Sequence, residues 1–199
     1  MKHSHLVVLA TIAMAVAVPA CAQAAPEAAP SPFIKDFLGQ VDFVEGRILA
    51  LNQAMAAKES WRPAEDVRSV SETYLHIAFG NYILTKMMGF EPPAAANFSM
   101  DIKKWDAQAT DAAKINEILK ASFNHVRTVA KKATAEQLEK KIDLFGQQMT
   151  GRNTMITVLN HMHEHLGQSI AYARMNSVVP PWSAAEQAAG KAKPEKSEE

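Results

Sequence analysis

The sequence lacks most of the features that identify common protein classes. Only one of its 199 residues is a cysteine, Cys21, so no disulfide can form within the chain, and if processing removes Cys21 no cysteine nucleophile remains. Acidic and basic residues balance at 21 each, which gives no basic surface of the kind that binds nucleic acid. Because the sequence contains no glycine-rich phosphate loop and no CxxCH motif, neither a P-loop nucleotide site nor covalently attached haem is predicted.

The first segment of the chain, residues 1–22, has the pattern of a signal peptide. A short basic start precedes an apolar run from Leu6 to Val18, and small residues follow. The apolar run is too short to span a bilayer. Cleavage after Ala22 or after Ala24 fits the small-x-small rule, and Ala22 is preferred. The sequence therefore predicts a periplasmic or secreted protein without a membrane span.

Cys21 leaves one alternative open for this segment. It stands where a bacterial lipoprotein carries its lipid-bearing residue, although Pro19, immediately before the small residue Ala20, fits a lipoprotein box poorly. Removal of residues 1–22 changes the formal charge only slightly, and what remains is long enough for one domain with a full hydrophobic core.

The composition of the mature chain favours helix, because alanine, methionine, glutamate, lysine and leucine are frequent and glycine is scarce. We expect a flexible leader over 23–32, a helical domain over 33–182 and a disordered charged tail over 183–199. Apolar residues recur at helical spacing in four long segments, which begin near Phe33, Ser69 or Asp66, Thr110 or Asp111, and Asn153. This pattern predicts an all-α four-helix bundle with long inter-helix connections.

The segments that connect the four long helices have weaker sequence patterns. Residues 90–110 form a long link with one helical turn near its end, and Thr134 to Gln137 matches a capping box that opens a short helix. Residues 142–150 have an extended pattern. Pro180-Pro181 should end the last helix.

Two histidines in the last long helix suggest a metal site. His161 and His165 are four residues apart, so on a helix they project from one face a single turn apart. A pair with this spacing can hold one divalent ion, but it is equally the pattern of two partly exposed histidines. A tight site needs a third ligand, and His76, in the second predicted helix, is the candidate.

The sequence around these histidines resembles the DinB-like (YfiT-like) superfamily of metalloenzymes over roughly 33–182. The resemblance is carried by four segments: Trp61-Arg-Pro63, the run around His76, the run His161-Met-His-Glu-His165-Leu-Gly-Gln168, and Tyr172 to Trp182. It implies a four-helix bundle, often a homodimer, in which His76, His161 and His165 bind a divalent metal ion. Ser177 stands where many relatives have glycine.

The resemblance also implies functions. Three neutral imidazoles suit zinc, nickel, copper or iron, and leave coordination positions open for water or a small-molecule substrate. We expect a metal-dependent hydrolase or transferase, and relatives include thiol-dependent isomerases and S-transferases, although an exported protein meets little thiol cosubstrate. The alternatives are a non-catalytic periplasmic protein that binds a metal or small ligand, and an interaction module with a vestigial site.

Several other residues are candidates for roles at or near the three histidines. Glu72, one turn before His76, is either a hydrogen-bond acceptor for a ligating histidine or a surface carboxylate. Gly167 is expected to allow close approach of another helix, and Gln168 either to hydrogen-bond near the metal or to pack. Glu164, three residues after His161, either reaches the rim of the site or is solvated. We expect His125 and His163 to lie at the surface or at an interface.

Overall fold

The computed structural model describes residues 31–191. This part of the chain contains seven α-helices and one antiparallel hairpin. The predicted signal peptide, most of the leader and residues 192–199 lie outside it. The elements are α1 (Pro32–Ala54), α2 (Val70–Met87), α3 (Ile102–Asp106), α4 (Ala112–Lys132), α5 (Ala135–Glu139), β1 (Lys141–Leu144), β2 (Gln147–Thr150), α6 (Gly151–Met175) and α7 (Pro181–Lys191).

The four long helices α1, α2, α4 and α6 form a bundle, which confirms the predicted fold class. Helix α2 packs against α4 and α6, and α1 packs against the same two helices, whereas α1 and α2 touch little. The two helices α1 and α2 therefore occupy opposite corners of the bundle. The link between them crosses a diagonal, so the connectivity is of the crossover kind rather than a simple ring of neighbours.

Helix α2 is the most enclosed of the four. Helix α1 buries one stripe, as the sequence predicts, with Val41, Val44, Ile48 and Leu51 fully shielded from solvent. By contrast, α2 buries residues on all its faces, because α4, α6 and α3 all pack on it. Polar groups on α2 consequently lie in surroundings of low dielectric constant.

Polar side chains fix where the helices begin. Ser69 and Glu72 form a capping box at the start of α2, Asp111 accepts a hydrogen bond at the start of α4, and the predicted capping box of Thr134 with Gln137 opens α5. Each cap satisfies backbone N–H groups that have no partner inside the helix. Of the alternative starts predicted for α2 and α4, Ser69 and Asp111 are confirmed, and so is the start of α5 at Thr134.

The long link between α2 and α4 is anchored by α3. The indole Nε1 of Trp105 donates a hydrogen bond of 2.7 Å to the carbonyl oxygen of Leu75 in α2. The segment predicted to be extended forms the β1–β2 hairpin, whose two-residue turn places Phe145 and Gly146 at positive φ. Among residues 31–191, no helix has both the length and the apolar character needed to cross a bilayer.

At two places a helix extends beyond the bounds expected from the sequence. The leader was expected to reach residue 32, but Ser31 caps α1 and Pro32 is its first residue, a position at which proline needs no N–H partner. The disordered tail was expected from residue 183, but Pro181–Lys191 is helical. Alanine-rich sequence favours helix there, and Trp182 packs against the core with the Arg47 guanidinium over its ring.

Candidate metal centre

The structure brings His76, His161 and His165 together between α2 and α6. The rings of His161 and His165 have centroids 4.5 Å apart, and the His76 ring lies 5.1 Å and 4.9 Å from them. One nitrogen from each ring lies within 4.8 Å of the others. That these three residues bind an ion stays a prediction, but their convergence is a feature of the fold.

The environment keeps two of these imidazoles, those of His76 and His161, neutral near pH 7. Burial, helped by the Arg68 guanidinium and the neighbouring imidazoles, lowers the pKa of His76 to about 3. Burial, with His165 and Arg68 nearby, lowers the pKa of His161 to about 4. A metal ligand must offer a nitrogen lone pair, and neutral imidazole does so without first losing a proton.

Two of the buried ring nitrogens have no hydrogen-bond partner in the part of the chain that the structure describes. They are Nδ1 of His76 and Nδ1 of His161. Buried polar atoms without partners are uncommon in folded proteins, because each costs roughly 1–3 kcal/mol in lost solvation. The three imidazoles, each with one nitrogen converging on the others, fit a divalent cation of the kind that prefers nitrogen ligands.

The orientation of His165 follows from a chain of hydrogen bonds. The hydroxyl of Tyr172 donates to the carbonyl oxygen of Arg68 at 3.1 Å, so its oxygen accepts from Nε2 of Gln168 at 2.8 Å. Oε1 of Gln168 therefore faces Nδ1 of His165, at 2.8 Å, and this nitrogen carries the proton. Nε2 of His165 is left for an ion. Of the two roles considered for Gln168, hydrogen bonding next to the three histidines is the one that the structure shows.

Glu72 does not contact a histidine ring. Its carboxylate accepts hydrogen bonds from Nη2 of Arg62 and from the backbone N–H of Ser69. Although partial burial acts in the opposite direction, these bonds lower the pKa of Glu72. Of the two roles considered for Glu72, that of partner to a ligating histidine is therefore wrong, because its oxygens are used by the helix cap.

Asp106 is the carboxylate that does approach the site, and nothing in the sequence pattern pointed to it. Its Oδ2 accepts a hydrogen bond of 2.7 Å from Nε of Arg68, and its Oδ1 lies 4.0 Å from Nδ1 of His76. Burial raises the pKa of Asp106, while Arg68 acts against this. Asp106 follows an aperiodic link, so only the docking of α3 onto α2 reveals its proximity.

The predictions for the remaining polar residues are partly confirmed. His163 is exposed, as predicted, and Glu164 is exposed too, which matches the second of its two alternatives. His125 is buried instead, with Nε2 3.1 Å from the hydroxyl oxygen of Thr85, because α4 turns this face towards α2.

One glycine also differs from expectation. The predicted close approach at Gly167 is wrong, since space there is open; it is Gly80 that contacts the His161 ring.

A cleft of about 670 Å³ lies beside the centre. Among its lining residues are Asp106 and Gln168, which approach His76 and His165, together with charged side chains at its rim such as Arg62, Arg68 and Lys103. The cleft thus meets the polar groups around the histidines from the solvent side.

The fold and the site together define the class of protein. It is a four-helix bundle in which three imidazoles from two of the long helices form a candidate metal centre. The chain belongs to the DinB superfamily, whose family signature matches residues 40–169 and so includes all three histidines. The resemblance seen in the sequence is confirmed.

The chain is also similar to two individual proteins. The uncharacterized protein YjoA of Bacillus subtilis is 27% identical over 118 residues, which cover 58% of this chain and 71% of YjoA. The crystal structure of this DinB-like protein superposes with a TM-score of 0.54 at 21% identity, covering 75% of this chain and 94% of YjoA. A DinB-like protein from Bacillus cereus gives 0.55 at 17% identity, covering 75% and 93%. At these identities the structures support the fold.

Proposed function

We propose that this protein binds one divalent metal ion through His76, His161 and His165 and acts as a metal-dependent hydrolase or transferase on a small-molecule substrate. The observation that carries the proposal is the convergence of three imidazole nitrogens, one from each residue, within 4.8 Å of one another. An ion held by three nitrogens would supply a Lewis acid with coordination positions open to water or substrate. Zinc, nickel and iron suit such a ligand set.

The protein's own residues position the three histidine rings and keep two of them uncharged. Helices α2 and α6 hold the rings at fixed separation, and Gln168 fixes the proton of His165 on Nδ1. The low pKa values of His76 and His161 keep their lone pairs free near neutral pH. The adjoining cleft gives a solute access to the polar groups next to the histidines.

Metal titration of the ion-free protein tests the binding step. We expect calorimetry to show one Zn²⁺ or Ni²⁺ per chain for the wild type and at least a hundredfold weaker binding for His161→Ala. His163→Ala is the matched control, because His163 is exposed on the same helix and its Nδ1 contacts the Leu159 carbonyl; it should bind like the wild type. Equal affinity of the two variants would contradict the proposed site.

A second candidate function is non-catalytic binding of a metal or small ligand. It is favoured by one observation: the two carboxylates of this region are held by arginines, Asp106 by Arg68 and Glu72 by Arg62. A general acid or base must be able to exchange a proton with the substrate. Activity screens with the metal-loaded protein distinguish the candidates: turnover that disappears in His161→Ala supports the enzyme, and turnover without metal contradicts it.

We further propose that the protein is exported to the periplasm and forms a homodimer. Support for export comes from the N-terminal sequence pattern, and support for the dimer from the family resemblance alone. Mass spectrometry of the native N-terminus should show a chain beginning at Gln23; an acylated Cys21 would establish a lipoprotein instead. Sedimentation equilibrium of the purified protein should give twice the chain mass.

A further inference from the structure

The carboxyl group of Asp106 lies between a cation and a candidate metal ligand. Oδ2 accepts a 2.7 Å hydrogen bond from Nε of Arg68. Oδ1 is buried, lies 4.0 Å from Nδ1 of His76, and has no hydrogen-bond partner among residues 31–191. Nδ1 of His76 is likewise buried and without a partner in the same part of the chain. Two unpartnered atoms thus face each other.

These two atoms match as hydrogen-bond donor and acceptor when the imidazole of His76 carries its proton on Nδ1. A histidine that binds an ion through Nε2 carries its proton on Nδ1, which then needs an acceptor. The unpartnered carboxylate oxygen of Asp106 is such an acceptor. At 4.0 Å the two atoms are too far apart for a hydrogen bond, and a shift of about 1 Å would bring them within range.

The short helix α3 fixes this arrangement. Trp105 is 2% exposed and donates from its indole nitrogen to the carbonyl of Leu75. Because Leu75 precedes His76 and Trp105 precedes Asp106, this one bond between α3 and α2 also brings the following two residues together. Asp101 caps the start of α3 by accepting from the N–H groups of Lys103 and Lys104.

We propose that Asp106 is a positioning residue that accepts a hydrogen bond from Nδ1–H of His76 and so directs Nε2 of His76 towards the ion. Arg68 holds the carboxyl group in place through the other oxygen. His76 thereby gains the kind of partner that Gln168 gives to His165. This inference rests on the proposed three-histidine metal site.

Metal affinity of Asp106 variants tests the inference. We expect Asp106→Ala to raise the Zn²⁺ dissociation constant about 10- to 100-fold, as loss of a partner to a ligating histidine typically does. Asp106→Asn keeps an acceptor oxygen and should recover part of the loss. Glu65→Gln is the control, because Glu65 is an exposed carboxylate lining the same cleft; its affinity should match the wild type.

A second readout separates positioning from general stability. In Zn²⁺-loaded protein with ¹⁵N-labelled histidine, the Nδ1–H proton of His76, assigned by its loss in His76→Gln, should exchange slowly with water. The signal should persist in Asp106→Asn and exchange rapidly in Asp106→Ala. If Asp106→Ala does not fold, the Asn variant and the wild-type signal decide the matter: fast exchange in the wild type contradicts the inference.

The outcomes for the site and for Asp106 are distinguishable. If the wild type binds no Zn²⁺, the proposed metal site is wrong. If the wild type binds Zn²⁺ but Asp106→Ala and Glu65→Gln have dissociation constants within twofold of it, the metal site stands and the role of Asp106 is refuted.

Discussion

Gly80 lies against the imidazole of His161 where α2 meets α6. A Cβ added at position 80 would be 2.9 Å from Nε2 of that ring and closer still to Cε1 and Nδ1, a separation that carbon atoms of folded proteins do not tolerate. Gly80 is one helical turn beyond His76 on the same helix. Helix α2 therefore supplies one of the three imidazoles and the space that another occupies.

Replacement of Gly80 by alanine should displace the His161 ring and weaken metal binding without removing any ligand. We expect the Zn²⁺ dissociation constant of Gly80→Ala to rise at least tenfold, measured by calorimetry. Gly167→Ala is the matched control, since a Cβ there meets nothing within 4 Å. It should leave the affinity unchanged and, through higher helix propensity, stabilise the protein by up to about 1 kcal/mol.

The ion-free protein should lose stability when acidified from pH 6.5 to pH 4.5. The folded-state pKa values of His76 and His161, about 3 and about 4, lie below the ordinary value of 6.5. Within that window the unfolded chain binds protons that the folded chain does not, so acid favours unfolding by up to about 1.4 kcal/mol per pH unit for each histidine. Urea denaturation at several pH values measures this.

Variants identify the groups responsible for that acid sensitivity. His161→Gln should show a shallower fall in stability than the wild type between pH 6.5 and pH 4.5. His163→Gln, altered at an exposed ring on the same helix, should follow the wild-type curve. Identical slopes for all three proteins would show that the buried imidazoles are not the cause.

Glu59 should produce a pH dependence of the opposite sign. It is 5% exposed, and neither of its carboxyl oxygens has a hydrogen-bond partner in the described part of the chain. Burial, together with the charge of Asp111, raises its pKa from 4.5 to about 8. The folded state keeps a proton that the unfolded state releases, so the stabilising effect of Glu59, complete below pH 4.5, declines with rising pH and is lost above pH 8.

The comparison of wild type with Glu59→Gln isolates this effect, because glutamine cannot ionise. The stability of the wild type relative to the variant should fall by up to about 1.4 kcal/mol per pH unit between pH 6.5 and pH 8. Urea denaturation at pH 6.5, 7.25 and 8 measures the difference. Glu65→Gln, at an exposed carboxylate nearby in the chain, should show no such trend relative to the wild type; a trend of equal size there would contradict the assignment.

The turn after α6 contains a serine in a conformation that favours glycine. Ser177 has φ 59°, and the bonds Ser177 N–H to Arg174 O and Val178 N–H to Ala173 O form a Schellman motif. Gly89 occupies the same position after α2 with φ +91°. Ser177→Gly should stabilise the protein by about 0.5–1 kcal/mol, because the strain of a side chain at positive φ is removed.

The reverse substitution provides the control for that prediction. Gly89→Ser should destabilise the protein by about 1 kcal/mol for the same reason. Thermal or urea denaturation of both variants measures the effect. A Ser177→Gly protein less stable than the wild type would mean that the serine side chain compensates for its backbone conformation.

The sequence predicted those parts of the fold that local chemistry determines. The start of α2 at Ser69 and the short helix after Thr134 follow from side-chain caps, which act within one turn of the chain. The buried stripe of α1 follows from helical periodicity. His161 and His165 share a face for the same geometric reason. His76 was a candidate third ligand from its residue type and helical segment, and only the family resemblance matched its position to theirs.

Features that depend on how helices pack could not be predicted in this way. Gly167 and Gly80 both lie on long helices, and only the arrangement of α2 against α6 decides which of them meets a neighbour. Asp106 belongs to a link without periodicity, so its approach to His76 depends on the docking of Trp105. Likewise His125 is buried because of the corner that α4 occupies in the bundle.

The positions of the three histidines along the chain have a consequence for the order in which the protein matures. Helix α2 is made early in synthesis and α6 last among the long helices, so a chain that ends before α6 owns a single imidazole of the trio. Three rings cannot bind one ion until α6 has packed against α2. At the proposed metal site, loading would therefore follow assembly of the bundle, and the metal content would report whether that assembly is complete.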